Sequence, residues 1–528
     1  MKEKKAGAGG QGPGAGERCA PAAQFSPLWW LSVKLGPKGR SFPRPPAPGP
    51  WPLFVFVFAL AGCTVGPNYK APDVPVTPAY KEQPPADFKE VQGWKPGQPA
   101  DDRLKGKWWE IYNDPDLNAL EEMISINNQN VMQAEAQYKE ARDAVRVARA
   151  ALSPIVSAAP SVTGSRTALG NNGSSNTLYN FPVDLSYTVD LWGAIRRSVT
   201  GASAQAQSLA ANLENIRLLY QADVAIDYFE LHGTDGDIDL LERTVKSYQE
   251  YLQLTRTRFA GGVASDLDVA QAEAQLYAAQ TQLVDFGVAR GQYEHAIAVL
   301  TGRPPAVVEV TRKLLKTPPP AVPVAVPSVL LERRPDIAIN ERLVASANEQ
   351  IGIAKAAFYP TLSLAAAVGL ENNHITTWLS WPARFFSIGP TLAETIFDAG
   401  RRRAQVNETL NAYDAAVAAY RQTVLTAFQQ VEDQLSTLRV LSNEFVPVED
   451  SVKSADRALT LSTAQYRAGT TSYLTVITAQ ATALSAERSQ IDLLTRRLTA
   501  SVTLIQALGG GWDTTQLPTM KDVQTGTM

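Results

Sequence analysis

The chain has 528 residues, 45% hydrophobic and 19% charged, the composition of a folded protein long enough for several domains. Its 49 Lys+Arg against 52 Asp+Glu give a formal net charge of −3, with no basic excess to point to a nucleic-acid partner. Two cysteines, Cys19 and Cys63, exclude a disulfide framework and a Cys-rich metal site.

Residues 1–50 are rich in Gly and Pro and cannot build a core. The apolar run Leu53-Phe-Val-Phe-Val-Phe-Ala-Leu-Ala-Gly62 follows, behind Lys34, Lys38, Arg40 and Arg44. As a helix this run is far too short for a hydrocarbon layer of about 30 Å. It suits the h-region of a signal peptide behind a basic n-region. The run ends in Leu60-Ala61-Gly62-Cys63, which resembles a bacterial lipobox: small residues before a thiol that can carry diacylglycerol. Residues 1–62 are therefore expected to be a leader, with Cys63 as the lipidated mature N-terminus. The alternative is a lone cysteine after a chance apolar patch. It leaves the placement unexplained, because an ordinary signal peptide needs no cysteine there.

The rest of the chain is one unit written twice. Arg258-Phe-Ala-Gly-Gly-Val-Ala-Ser-Asp-Leu-Asp-Val269 aligns with Gln465-Tyr-Arg-Ala-Gly-Thr-Thr-Ser-Tyr-Leu-Thr-Val476, and Phe259 and Tyr466 differ by 207 (466 − 259). Gly193 and Gly400, each followed by an arginine cluster, share that offset. Ala148-Arg-Ala-Ala-Leu-Ser-Pro154 matches Ala354-Lys-Ala-Ala-Phe-Tyr-Pro360 at 206 (354 − 148). The first repeat spans 63–302, a Pro-rich linker 303–328, the second repeat 329–512 and a tail 513–528. The linker holds Pro304, Pro305, Pro318, Pro319, Pro320, Pro323 and Pro327, which excludes a helix there.

Each repeat reads helix, strand pair, long helix, turn, helix. The long helices are predicted over about 196–260 and 401–467, followed by helices over about 265–300 and 472–508. The seam Tyr413, Val417, Tyr420, Val424, Ala427, Val431, Leu435, Leu438 steps by three and four, as in a coiled coil. A helix of about 65 residues is roughly 100 Å long and makes sense as a strut bundled with others. Strands are expected over about 155–167, 181–191, 361–370 and 384–397. Val183, Leu185, Tyr187, Val189 and Leu191 alternate with Asp184, Ser186, Thr188 and Asp190, and Leu362, Leu364, Ala366, Val368 and Leu370 alternate with Thr361, Ser363, Ala365, Ala367 and Gly369. This period of two over about ten residues matches a transmembrane barrel strand, with lipid on one face and water on the other. A sheet half-buried on a soluble core is the blander reading of any one strand. Four such segments beside a lipidation signal favour the barrel.

No catalytic constellation survives inspection, and neither a cofactor nor a metal is expected. Gly7-Ala-Gly-Gly-Gln-Gly12 fits a dinucleotide fingerprint but sits in the leader without a preceding strand. Asp235, Asp237 and Asp239 resemble part of a calcium loop, but Lys246 stands where the bidentate glutamate is needed, so they read as a solvated helix face. His232, His295 and His374 show no ligand spacing.

Two turns matter more. Gly261-Gly262 and Ala468-Gly469 end the long helices, and Ser265 and Ser472 start the next ones. Glycine accepts the left-handed conformation at a helix C-terminus, and serine is a good N-cap. These are helix-hairpin tips, and tips at the far ends of long struts are where another protein or a gate would meet the channel. Gly262, Ser265, Asp266, Asp268, Gly469, Thr471 and Ser472 are the candidate residues. At the opposite ends, Arg196-Arg197 and Arg401-Arg402-Arg403 oppose the helix dipole. Asp190 and Asp398, or anionic lipid headgroups, are the candidate counter-charges; ordinary solvated arginines are the alternative.

These residues together resemble the outer membrane factor family, the TolC-like efflux channels, and most closely the NodT-type lipoprotein branch paired with resistance-nodulation-division pumps. Leu330-Leu-Glu-Arg-Arg-Pro-Asp336 with Ile353-Ala-Lys-Ala-Ala-Phe-Tyr-Pro360 is similar to the family's most specific signature; Phe397-Asp-Ala-Gly-Arg-Arg-Arg403 and Cys63-Thr-Val-Gly-Pro-Asn-Tyr-Lys-Ala-Pro72 add to it. The resemblance runs from Cys63 to about Trp512. It implies an α+β membrane protein: a homotrimer with a 12-stranded outer-membrane β-barrel, four strands per subunit, continued by a long periplasmic helical barrel. It also implies a periplasmic adaptor (membrane fusion) protein and an inner-membrane pump as partners, docked at the tips, and an acidic gate ring there. Thr470-Thr471 stand where several relatives place an aspartate, so the resemblance carries no acidic ring to the second repeat, while Asp266 and Asp268 remain in the first. Physics also requires an oligomer, because four strands cannot close and lipid forbids open edges.

The expected function is passive export of small toxic molecules. A type I protein-secretion channel is the nearest rival, disfavoured by the lipobox. A pore-less periplasmic coiled-coil scaffold is the rival from another class, disfavoured by the alternating strands.

Overall fold

A computed structural model describes residues 64–74, 76–82, 106–167, 174–322, 330–512 and 514–525. The leader and Cys63 lie outside the described residues. Helices α1 (Pro115–Asn127) and α2 (Gln129–Ala150) lead into strands β1 (Ile155–Ala158), β2 (Ser161–Thr167) and β3 (Ser174–Val189), then helices α3 (Ala194–Ala260) and α4 (Asp266–Leu300). After the linker the order repeats: α5 (Pro335–Ala356), β4 (Thr361–Asn372), β5 (Arg384–Ala393), α6 (Arg401–Arg467) and α7 (Tyr473–Ala507). A short α8 (Met520–Thr525) closes the chain.

The duplication is nearly exact in structure. Helices α3 and α6 each have 67 residues, and α4 and α7 each have 35. Both long helices start behind a left-handed glycine, Gly193 at φ 81° and Gly400 at φ 85°. One departure stands out: α6 carries Pro447 in its interior, where α3 has the buried Leu240. The helix runs on through it, although proline removes one backbone hydrogen bond.

The strands form one antiparallel sheet in which β1 and β2 both pair with β3, β3 with β4 and β4 with β5. Register places Leu185 opposite Ala366 and Ala366 opposite Ile388, with Val183 opposite Val368 and Val368 opposite Phe386. Directly opposed residues share a face, so these apolar side chains make one continuous surface. Asp184, Ser186 and Thr188 lie on the other face opposite Ala367, Ala365 and Ser363. That face is small and polar.

Two strand boundaries differ from expectation. The second strand begins at Ser174 instead of 181, through Ser174-Ser-Asn-Thr177, residues that carry no apolar alternation. The last strand stops at Ala393 instead of 397, leaving Glu394–Gly400 irregular. The first expected strand is broken at Ala159-Pro160, where proline has no N–H for the ladder.

The largest apolar core sits partway along the struts, where Trp108, Leu117, Tyr228, Phe229, Val431, Leu435, Leu493 and Leu504 pack together. Glu121 lies in that helix stripe between Leu117 and Ile124, fully buried, and neither carboxyl oxygen has a partner. The linker is tied down here: Arg290 donates to the Val310 carbonyl at 2.6 Å, and the Val310 N–H donates to Glu294 at 2.7 Å. Asp235 belongs to this belt and corrects the reading of a solvated face. It is 2% exposed and accepts from Arg290 at 2.8 Å, with His232 Nδ1 at 3.0 Å.

Candidate functional site: the helix tips and the membrane-proximal junction

Both tips are built on the same backbone motif. In the first, the Val263 N–H donates to the Arg258 carbonyl at 2.8 Å and the Gly262 N–H to Phe259 at 2.9 Å. In the second, Thr470 donates to Gln465 and Gly469 to Tyr466, each at 3.0 Å. This crossed pair of bonds requires a left-handed residue, and Gly262 and Gly469 supply it at φ 74° and 77°.

Beyond the glycines the copies diverge. Ser265 and Asp268 form a capping box: the Ser265 hydroxyl accepts from the Asp268 N–H at 3.2 Å, and the carboxylate accepts from the Ser265 N–H at 2.9 Å. Ser472 makes no side-chain cap bond, and the Thr471 hydroxyl donates to Thr475 at 3.0 Å. Asp268 is thus occupied by its own helix start, whereas Asp266 is exposed and has no side-chain partner among the described residues.

The two tips are joined within one subunit. Arg258 donates to the Tyr466 carbonyl at 2.6 Å, and its guanidinium lies 4.6 Å from the centre of the Tyr466 ring. Tyr466 packs at 5.4 Å on Tyr473, which is buried with Tyr248, Leu252, Leu276 and Val476. Tyr251 and Thr463 hydroxyls meet at 2.9 Å, and Thr255 and Tyr466 at 3.3 Å. Burial pushes the Tyr473 phenol well above its usual range, so it stays a neutral core group. The sequence does not single out Arg258 and Tyr466 as tip residues. A cationic residue in the last turn of one strut facing an aromatic in the other was the available signal.

At the opposite end of the struts, the arginine clusters are held by carboxylates at Arg196, Arg197 and Arg402. Arg196 pairs with Asp190 at 3.1 Å, and Asp190 also accepts from the Ile195 and Arg196 N–H groups. Arg402 pairs with Asp398 at 2.6 Å. The carboxylates thus cap helices that arginines alone would oppose. Arg197 is buried, pairs with Glu349 at 2.8 Å and donates to the Val65 carbonyl at 2.8 Å. Val65 in turn donates to Trp192 at 3.0 Å. Thr64 packs so closely on Gly193 that a Cβ there would meet its methyl at 2.8 Å. From this point the segment runs along α5 and α6, where Tyr69 bonds Glu341 and the Lys81 and Glu82 N–H groups bond Glu432.

Comparison with known proteins bears on this architecture. The sequence profile of the outer membrane efflux protein family matches residues 120–303 and 326–510, the two repeats in turn. The chain belongs to the outer membrane efflux protein family.

Among curated relatives, the antibiotic efflux pump outer membrane protein ArpC of Pseudomonas putida is 31% identical over 460 residues, 86% of this chain and 93% of that one. Outer membrane protein OprJ of Pseudomonas aeruginosa is 31% identical over 470 residues, 86% of this chain and 94% of that one. The solved outer-membrane channel OprN superposes with a TM-score of 0.78 at 28% identity, covering 85% of this chain and all of that one. The Campylobacter jejuni CmeC channel has the same fold, with a TM-score of 0.79 at 21% identity over 88% of this chain and 98% of that one. This efflux family member is therefore an α+β outer-membrane channel subunit of a trimeric assembly that extends into the periplasm. No helix among its described residues is long and apolar enough to cross a membrane.

Proposed function

We propose that this efflux channel is the exit duct of a tripartite pump, carrying small toxic molecules passively across the outer membrane from a periplasmic adaptor and an inner-membrane pump. The observation that carries the reading is the continuity of a two-faced sheet with 67-residue struts. Four strand positions per subunit give twelve in a trimer, a closed barrel with a small, polar inner face. The printed names of two Pseudomonas putida relatives, the antibiotic efflux pump protein ArpC and the toluene efflux pump protein TtgC, support drugs and related small molecules as cargo over secreted protein.

The proposal includes a lipid on Cys63. Its support is the seat of the next residue: Thr64 lies on Gly193, at the junction between sheet and struts, where an acyl chain would reach the inner leaflet. The tips are proposed as the adaptor contact and the closed constriction, being the ends farthest from the sheet by about 100 Å.

The test is drug susceptibility of a deletion strain complemented with wild type, with and without candidate pumps, alongside conductance in planar bilayers. Pump-dependent resistance and a conducting trimer are expected. A protein that purifies only as a non-conducting monomer overturns the duct. For the anchor, intact mass of the envelope form is expected to show a chain starting at Cys63 plus acyl groups, and an unmodified thiol there removes the lipid from the proposal.

A further inference from the structure

The irregular segment between β5 and α6 is the least covered apolar part of the described chain. Ile396 is 95% exposed and Phe397 85% exposed. Both follow the strut end of β5, whose Phe386, Ile388 and Leu392 are themselves exposed. The same level carries an aromatic belt: Trp192 stacks on Tyr359 at 4.7 Å and donates to the Pro360 carbonyl at 2.8 Å, with Phe358 beside them under Arg402. Aromatic belts of this kind mark the headgroup level of a membrane.

Arg401 and Arg403 follow immediately, and both are exposed. Arg196 and Arg402 have their aspartates and Arg197 has Glu349. Arg401 and Arg403 make no ion pair among the described residues, and their helix start disfavours positive charge. Two cations without an ion pair among the described residues thus follow two exposed apolar side chains in one short segment, with the exposed Glu394 as the one carboxylate of that segment besides Asp398, at the level where a lipid presents an anionic head above acyl chains.

We propose that Ile396, Phe397, Arg401 and Arg403 form a binding site for an anionic phospholipid of the inner leaflet, the apolar pair entering the acyl region and the arginines holding the phosphate. The proposal rests on the barrel reading, because only an inserted sheet brings this segment to a leaflet. Each basic residue near a charged leaflet contributes a modest attraction, and two together predict a preference on the order of tenfold or more for an anionic over a zwitterionic head. The attraction is electrostatic, so lysines serve as well as arginines.

The experiment uses full-length trimers already shown to conduct, in detergent, titrated with phosphatidylglycerol, phosphatidylethanolamine or inorganic phosphate and read by native mass spectrometry. Wild type is expected to bind phosphatidylglycerol on the order of tenfold more tightly than phosphatidylethanolamine. The double variant Arg401→Gln/Arg403→Gln loses that preference but keeps its phosphatidylethanolamine affinity, and Arg401→Lys/Arg403→Lys retains the preference. Phe397→Ser weakens both lipids and leaves the trimer intact. Because glutamine removes charge that opposes the helix dipole, the double Gln variant folds at least as well as wild type in lipid-free detergent. Equal affinities in wild type, or a preference that survives in the Gln variant, overturn the site. Displacement by inorganic phosphate shows a free-anion site instead, and dissociation of Phe397→Ser trimers without lipid shows a subunit contact; either result overturns the lipid. Absence of any conducting trimer would strike the barrel reading itself, and this inference with it.

Discussion

The Arg258 guanidinium and the Tyr466 carbonyl meet at 2.6 Å across the two hairpins, so a side chain of one strut caps the end of the other. The link has no mirror image, because the residue equivalent to Arg258 in the second repeat is Gln465 (258 + 207). A cation at a helix C-terminus gains from both the hydrogen bond and the dipole. Arg258→Ala is expected to lose roughly 1.5–3 kcal/mol of tip cohesion and to raise the closed-state single-channel conductance. An unchanged conductance would place the constraint on the tips elsewhere.

The two tip aspartates should separate cleanly. Asp268→Ala breaks the capping box and is expected to cost about 1 kcal/mol of stability. Asp266→Ala touches no partner, so its stability is expected to stay within about 0.5 kcal/mol of wild type. If Asp266 lines the closed pore of the trimer, its removal changes conductance or cation block without changing the melting temperature. Paired melts and bilayer recordings on the two variants check both statements.

Arg197 and Glu349 are a buried ion pair that also holds the chain just after Cys63. Glu349→Ala leaves a buried guanidinium unpaired, and a loss of about 3–5 kcal/mol is expected. Limited proteolysis should then cut within residues 64–82 faster than in wild type. Replacing both partners with apolar residues should recover most of the melting temperature but not the protection of that segment, because Val65 still loses its donor.

Glu121 gives the pH dependence. Burial without any partner holds its carboxyl well above the usual 4.5, so the folded state keeps a proton that the unfolded state releases. Stability contributed by this group therefore falls as pH rises from the ordinary glutamate range up to the folded value. Glu121→Gln lacks that fall. The variant is expected to match wild type near pH 4 and to melt higher at pH 8, and equal melting temperatures at pH 8 would contradict it.

Periodicity exposed the long struts because their glycine starts, apolar seams and glycine ends are all local signals. The alternating faces of β3 and β4 were legible for the same reason, each residue reporting its own side. Ser174–Thr177 escaped because they carry no apolar alternation for a period of two to report. Asp235 was misread because its burial depends on Arg290 and on the linker, far along the chain. The cross-tip contact was hidden for a related reason: Arg258 and Tyr466 are 208 positions apart, and a side chain meeting a carbonyl leaves no mark on the acceptor's identity.

Pro447 breaks the equality of the two struts. With one backbone bond missing from α6 and none missing at Leu240 of α3, the pair behaves as a stiff rod beside a rod with a single weak point. Grooves flank that point on the side of α7, lined by Val448, Ser451, Thr482 and Ser485, so small residues leave room for α6 and α7 to lean as a unit. Bending at Pro447 swings Gly469 while Gly262 stays fixed, and such a swing must break the Arg258 link together with the Tyr251–Thr463 and Thr255–Tyr466 hydroxyl contacts. In a threefold ring, six tips would then divide into three fixed posts and three moving leaves.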